Sequence, residues 1–173
     1  MTPIGPISLA QSHLRQMLAD CPAFRTWASA ADVTAALARI HQESLPPPAE
    51  HASEHTLAEL HNYRPYALIW TAAENGLRLR ADAASAEYEE SGRLMIQLIQ
   101  DVPADLAADP AALDMAFKNS VGQIMADLCA HSGQAGYLCI RELGLAYGPY
   151  RTHPDDLPSL GDAIAVELIV DWG

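Results

Sequence analysis

Apolar residues fall on every second position from Ile164 to Trp172, with Ala165, Glu167, Ile169 and Asp171 between them. That period of two predicts a strand over 163–172 with one buried face. Upstream the period changes. Leu113, Phe117, Val121, Ile124 and Leu128 recur at helical spacing behind Asp109, an N-cap residue, and Pro110 at the first helical position. This predicts an amphipathic helix from Asp109 to His131. Between these two elements Gly133 and Gly136 release the chain into a strand over 137–147, and the polar stretch from Gly148 to Pro158 separates that strand from the last one.

Ahead of the long helix, Arg64-Pro65 opens the continuous apolar run Tyr66–Thr71, with proline at the first strand position, where a missing N–H is tolerated. Asn75-Gly76 and the alternating Leu77, Leu79 and Ala81 then predict a hairpin to a second strand. An acidic insertion over 82–90 follows. Arg93–Ile99 resumes as a central strand closed by Val102-Pro103. At the start of the chain, Ser8 and Gln11 form a capping-box pattern, and Ala10, Leu14, Met17, Leu18 and Cys21 share one face, predicting a helix over 9–20 that Pro22 ends. Val33, Leu37 and Ile40 predict a second helix over 31–43, stopped by Pro46-Pro47-Pro48. The His- and Pro-rich stretch 41–63 reads as an exposed excursion with at most one capped turn, at Thr56 and Glu59. The expected fold is α+β: an antiparallel or mixed sheet of about four to five strands with helices packed on one face, in a single domain over 1–173.

Composition narrows the function classes. The 173 residues suffice for one real core, and no run approaches the roughly 20 apolar residues of a membrane span. Met1–Pro6 lacks the charge and apolar stretch of a secretory signal, so a cytoplasm-like compartment is expected. Cys21, Cys129 and Cys139 have neither an even count nor a C-x-x-C spacing and read as buried thiols. Ten Lys and Arg against 22 Asp and Glu give a net charge of -12, which repels a nucleic-acid backbone.

Two groups of residues have chemical potential. His51-Ala52-Ser53-Glu54-His55 fits the H-x-x-E-H string of inverted zinc peptidases, with His51 and His55 as ligands, Glu54 as general base and His61 as a further nitrogen. The chemistry requires a stable, partly buried helix, whereas this string follows three prolines and has almost no apolar face, so a solvated loop is the favoured reading and a small zinc hydrolase the remote alternative. Arg151, His153, Asp155 and Asp156 form a charged cluster in a Pro-rich loop, better suited to an interface salt-bridge set than to acid–base catalysis. No nucleophile elbow, Walker loop or dinucleotide fingerprint is present, and no cofactor is expected.

The order of these elements resembles the tail terminator (tail completion) proteins of long-tailed bacteriophages. The resemblance rests on the N-terminal helix, the Arg64–Thr71 strand, the strand from Arg93 to Pro103, the long helix, the Gly136-Tyr137 entry, the acidic loop over 151–156 and the closing strand over 162–172. The excursion over 41–63 and the insertion over 82–90 depart from the family's smaller members. The resemblance implies a structural virion protein without catalysis, assembled in the host cytoplasm into a homohexameric ring. That ring caps the tail tube, stops its polymerisation, meets the head–tail connector or stopper and lets DNA pass through its lumen. A head–tail joining protein of related fold, or an adaptor acting as a monomer, is the alternative. Arg64, Arg151, Asp155 and Asp156 are the candidate subunit or partner contacts.

Overall fold

A computed structural model describes residues 5–48, 55–74, 76–81, 88–152 and 162–173. The first helix, Pro6–Asp20 (α1), starts earlier than its capping-box pattern suggested: Gly5 is the N-cap, Pro6 occupies the first turn, and Ser8 lies inside the helix, where its hydroxyl accepts no cap hydrogen bond. Proline in the first turn leaves one fewer N–H there to be satisfied. Pro22–Trp27 (α2) follows at once, turning at Cys21. The expected second helix is cut short. Val33–Leu37 (α3), capped by Asp32 through the Ala35 N–H, gives way to Ile40–Gln42 (β1), which pairs in parallel with Tyr66–Thr71 (β2) beyond Leu57–Tyr63 (α4). Arg15 of α1 explains where α3 stops, because its guanidinium takes the carbonyls of Leu37 and Ile40. Ile40 is β-branched and finds a free strand edge, so tertiary pairing overrides local helix preference.

Arg78–Ala81 (β3) is a strand as its alternation indicated, but its partner differs. Both β2 and β3 run antiparallel to Tyr88–Asp101 (β4), so they point the same way and are not two arms of one hairpin. The hairpin is β3–β4, and Tyr88–Glu90, assigned from sequence to the acidic insertion, is the start of β4. A Cβ on Gly92 would collide with the Gly76 carbonyl oxygen and sit 3.1 Å from the Trp172 ring, so this crossing needs a residue without a side chain.

Pro110–His131 (α5) matches its expected bounds. Asp109 accepts from the Ala112 N–H, and the five stripe residues Leu113, Phe117, Val121, Ile124 and Leu128 are all buried. Ile140–Thr152 (β5) starts later than expected and runs on through Gly148-Pro149, with register shifts between Leu145 and Tyr150. Proline is tolerated there because β5 is an edge strand. Ala163–Trp172 (β6) has the expected bounds, but its first residues are buried on both faces, because Ala163 and Ala165 pack in a cluster with Tyr66 and Ile99.

The sheet order is β1-β2-β4-β6-β5, with β3 paired to β4 off that path; only β1–β2 is parallel. The architecture is α+β, a mixed sheet with a helical layer on one face. That face supplies Ala67, Ile69, Leu94, Ile96, Leu98, Val166, Leu168 and Val170 to a core shared with α1, α2, α3 and α5. The fourth helix departs from the one-face expectation: its last residue, Tyr63, packs with Tyr66, Ile99 and Ala165 on the opposite face. Among the described residues no helix is long and apolar enough to cross a membrane.

Candidate functional site

The described parts of the His-rich stretch are built into the fold. At its start, His41 is part of β1; at its end, Thr56 and Glu59 complete a reciprocal capping box that starts α4. Arg39 donates to the carbonyls of Asn62 and Tyr63 at the helix C-terminus, 3.0 and 2.8 Å away. The rings of His41 and His55 both meet Tyr63 edge-on, at centroid distances of 5.7 and 5.6 Å. Burial, reinforced by Arg15 and Arg39, holds the His41 imidazole below its ordinary value. His55 Nδ1 stands 3.9 Å from the Glu59 carboxylate, and His61 Nδ1 lies 2.8 Å from Asp101. His51 and Glu54 lie outside the described residues. Among the described residues, no group of three or more His, Cys, Asp or Glu is placed to hold a metal ion.

Arg64, expected at a subunit contact, is buried within the chain. Its side chain is 0 % exposed and its Nη1 donates to Asp101 at 2.9 Å, tying the exit of α4 to the end of β4. Its Nε and Nη2 are buried without a hydrogen-bond partner among the described residues. Arg151, on β5, is part-exposed and grips Asp162 with two parallel hydrogen bonds of 2.8 and 2.6 Å, besides reaching the Ala107 carbonyl. The acidic partner is therefore Asp162, ahead of β6. Asp155 and Asp156 lie outside the described residues.

A thiol–imidazole pair escaped the sequence reading because its members are separated by most of the chain. Cys21 Sγ lies 3.6 Å from His131 Nδ1 and donates to the Met17 carbonyl at 3.2 Å. Near them, Asp127 accepts from the Ala23 N–H at 2.8 Å and Asp20 accepts from the Tyr137 hydroxyl at 2.7 Å. Nucleophilic catalysis needs a thiolate, hence a lowered pKa. Here burial first, then Asp127 and Asp20, push the thiol up to about 12. The cluster is a structural joint between α1, α2 and α5. Cys129 and Cys139, by contrast, are exposed, against the expectation of three buried thiols.

Two concavities remain. One, of about 290 Å³, lies at the end of β4, β5 and β6, where Arg78, Arg93 and Arg141 meet Glu142 and Asp171. Arg93 binds Asp171 through two hydrogen bonds of 2.6 and 2.8 Å, which hold that carboxyl below its usual range. Three arginines face two carboxylates, so the lining of this cleft is net positive, with Arg93–Asp171 as its ion pair. The other, of about 110 Å³, is an apolar groove between α5 and β5, lined by Phe117, Val121, Met125, Leu145, Pro149 and Val166 with Lys118 beside them. Leu145 is 51 % exposed beside it, and Met115 on α5 is 66 % exposed. Compared with known proteins, the chain matches no family model and no curated protein.

Proposed function

We propose that this protein is a structural subunit of a phage tail, a tail terminator or a closely related neck protein, whose activity is to assemble into a ring. The observation that carries the reading is the succession of elements. An N-terminal helix, the Tyr66–Thr71 strand, a long strand ending at Asp101, the 22-residue helix α5 and two closing antiparallel strands follow the order on which the resemblance rests. The chemistry of the interior agrees with an assembly role, since its buried thiol is held protonated and its buried guanidinium is tied to a carboxylate. The ring reading also gives the acidic balance a use: a net charge of -12 on each chain repels the DNA backbone, so a lumen lined with carboxylates passes a genome without gripping it.

The test is a tube-growth assay. Tail-tube protein from the same phage is polymerised with and without this protein, and the ends are viewed by electron microscopy. Tubes that stop growing and finish in a ring are the expected result. Tubes of unchanged length with bare ends overturn the reading.

A further inference from the structure

We propose that the cleft at the end of β4, β5 and β6 is a binding site for a phosphate group, either the inorganic ion or a monoester of a small organic body. The site goes beyond the ring reading and does not depend on it. Of the ten Lys and Arg on an otherwise acidic chain, three, Arg78, Arg93 and Arg141, line this one cavity of about 290 Å³. Of the 22 Asp and Glu, two line it among the described residues, Glu142 and Asp171. The local balance is therefore opposite in sign to that of the whole chain, and a concave, protein-walled site concentrates such a field.

Strand register places these groups. Arg78 pairs with Ser91, Arg93 pairs with Asp171, and Asp171 pairs in turn with Glu142. By alternation all five stand on one face of the sheet, the face away from the helical layer that takes Leu94 and Val170. Arg141 arrives differently. The register slips between Ile140 and Glu142, which makes Arg141 the extra residue of a bulge, a device that re-aims a side chain. Its Nε donates to the Gly173 carbonyl at 2.9 Å, which holds the guanidinium at the cleft. A site carried by paired strands is pre-organised in a way that a loop is not.

The Asp171 carboxylate does not cancel this charge. It takes Nε and Nη2 of Arg93 at 2.6 and 2.8 Å, so it fixes that guanidinium while leaving Nη1 outside the fork. Arg78 also acts on Asp171, and Glu142 and Glu74 act on Arg93, Glu74 from outside the lining. Three guanidinium groups reaching one cavity from β3, β4 and β5 suit an anion with oxygens on several sides. A planar carboxylate is satisfied by one fork, whereas a tetrahedral phosphate accepts from several. The volume lies near the lower bound of small-ligand pockets, roughly 300 Å³, which leaves room for a short organic body behind the phosphate.

The experiment is titration calorimetry at low salt on the full chain with three probes: inorganic phosphate, glycerol 3-phosphate and acetate. Arg78→Gln, Arg141→Gln and Glu142→Gln all change exposed positions, and circular dichroism confirms that each variant folds. Saturable binding of a phosphate probe is expected, with acetate at least about tenfold weaker. Either arginine variant is expected to weaken phosphate binding about tenfold, and Glu142→Gln to tighten it, because one like charge leaves the lining. Tighter binding of glycerol 3-phosphate than of phosphate identifies a monoester as the ligand, and equal binding identifies the ion. No binding of either phosphate probe, acetate bound as tightly as phosphate, or phosphate binding unchanged in both arginine variants overturns the site. Each of these results leaves the ring reading, which is read from mass, where it stood.

Discussion

Cys21 and His131 have the residue types of a catalytic dyad and the environment of its opposite. A thiol with a pKa of about 12 is neutral at every physiological pH, so native protein treated with iodoacetamide should be alkylated at Cys129 and Cys139 while Cys21 reacts only after unfolding. Rapid native alkylation of Cys21, read by peptide mass mapping, contradicts the structural assignment. His41 makes a second residue-level prediction. Its folded pKa lies below its ordinary value of 6.5, so the unfolded chain takes up a proton first as the pH falls. The stability this residue supports is intact above about pH 6.5 and is lost as the pH falls from there through the folded value. His41→Phe keeps a ring against Tyr63 and Tyr66 and should flatten that part of the urea-midpoint profile; an unchanged profile rules His41 out as its source. At this scale sequence was a poor guide. Arg64 drew attention as a charged residue beside a proline, but its burial is decided by Asp101, 37 positions away. Pairs such as Cys21 and His131 become neighbours only through the packing of α1 against α5.

Elements were legible wherever a single periodicity governed burial. In α5 and β6 every buried position belongs to one face or to a strand sealed at the sheet centre, so pattern and structure agree. Where the deciding partner is distant, pattern failed. The helix expected over 31–43 ends at Leu37 because Arg15 takes its carbonyls and β2 recruits Ile40, and neither partner is visible in a local window. The hairpin expected at Asn75-Gly76 does not join β2 to β3, because β4 is long enough to pair with β2 along 94–99 and with β3 along 88–91, and so captures both. Two substitutions separate local from tertiary terms in α5. Asp109→Ala removes the acceptor for the Ala112 N–H and should cost about 1 kcal/mol by chemical denaturation. Phe117→Ala, fully inside the core between helix and sheet, should cost about 3–5 kcal/mol. Equal losses contradict the view that α5 is held mainly by its packed stripe.

For the whole molecule, the helical layer closes one face of the sheet and leaves the other to a smaller cluster around Tyr66, Ile99 and Ala165. Inside the molecule, Arg64 ties the exit of α4 to the end of β4, and Cys21 meets His131 where α1 and α2 pack on α5. The decisive measurement is the solution mass of purified protein by light scattering across a concentration series, with and without a chelator. The account predicts a hexamer, reached as concentration rises and indifferent to the chelator. A strict monomer at every concentration, holding one zinc per chain that the chelator removes, contradicts it.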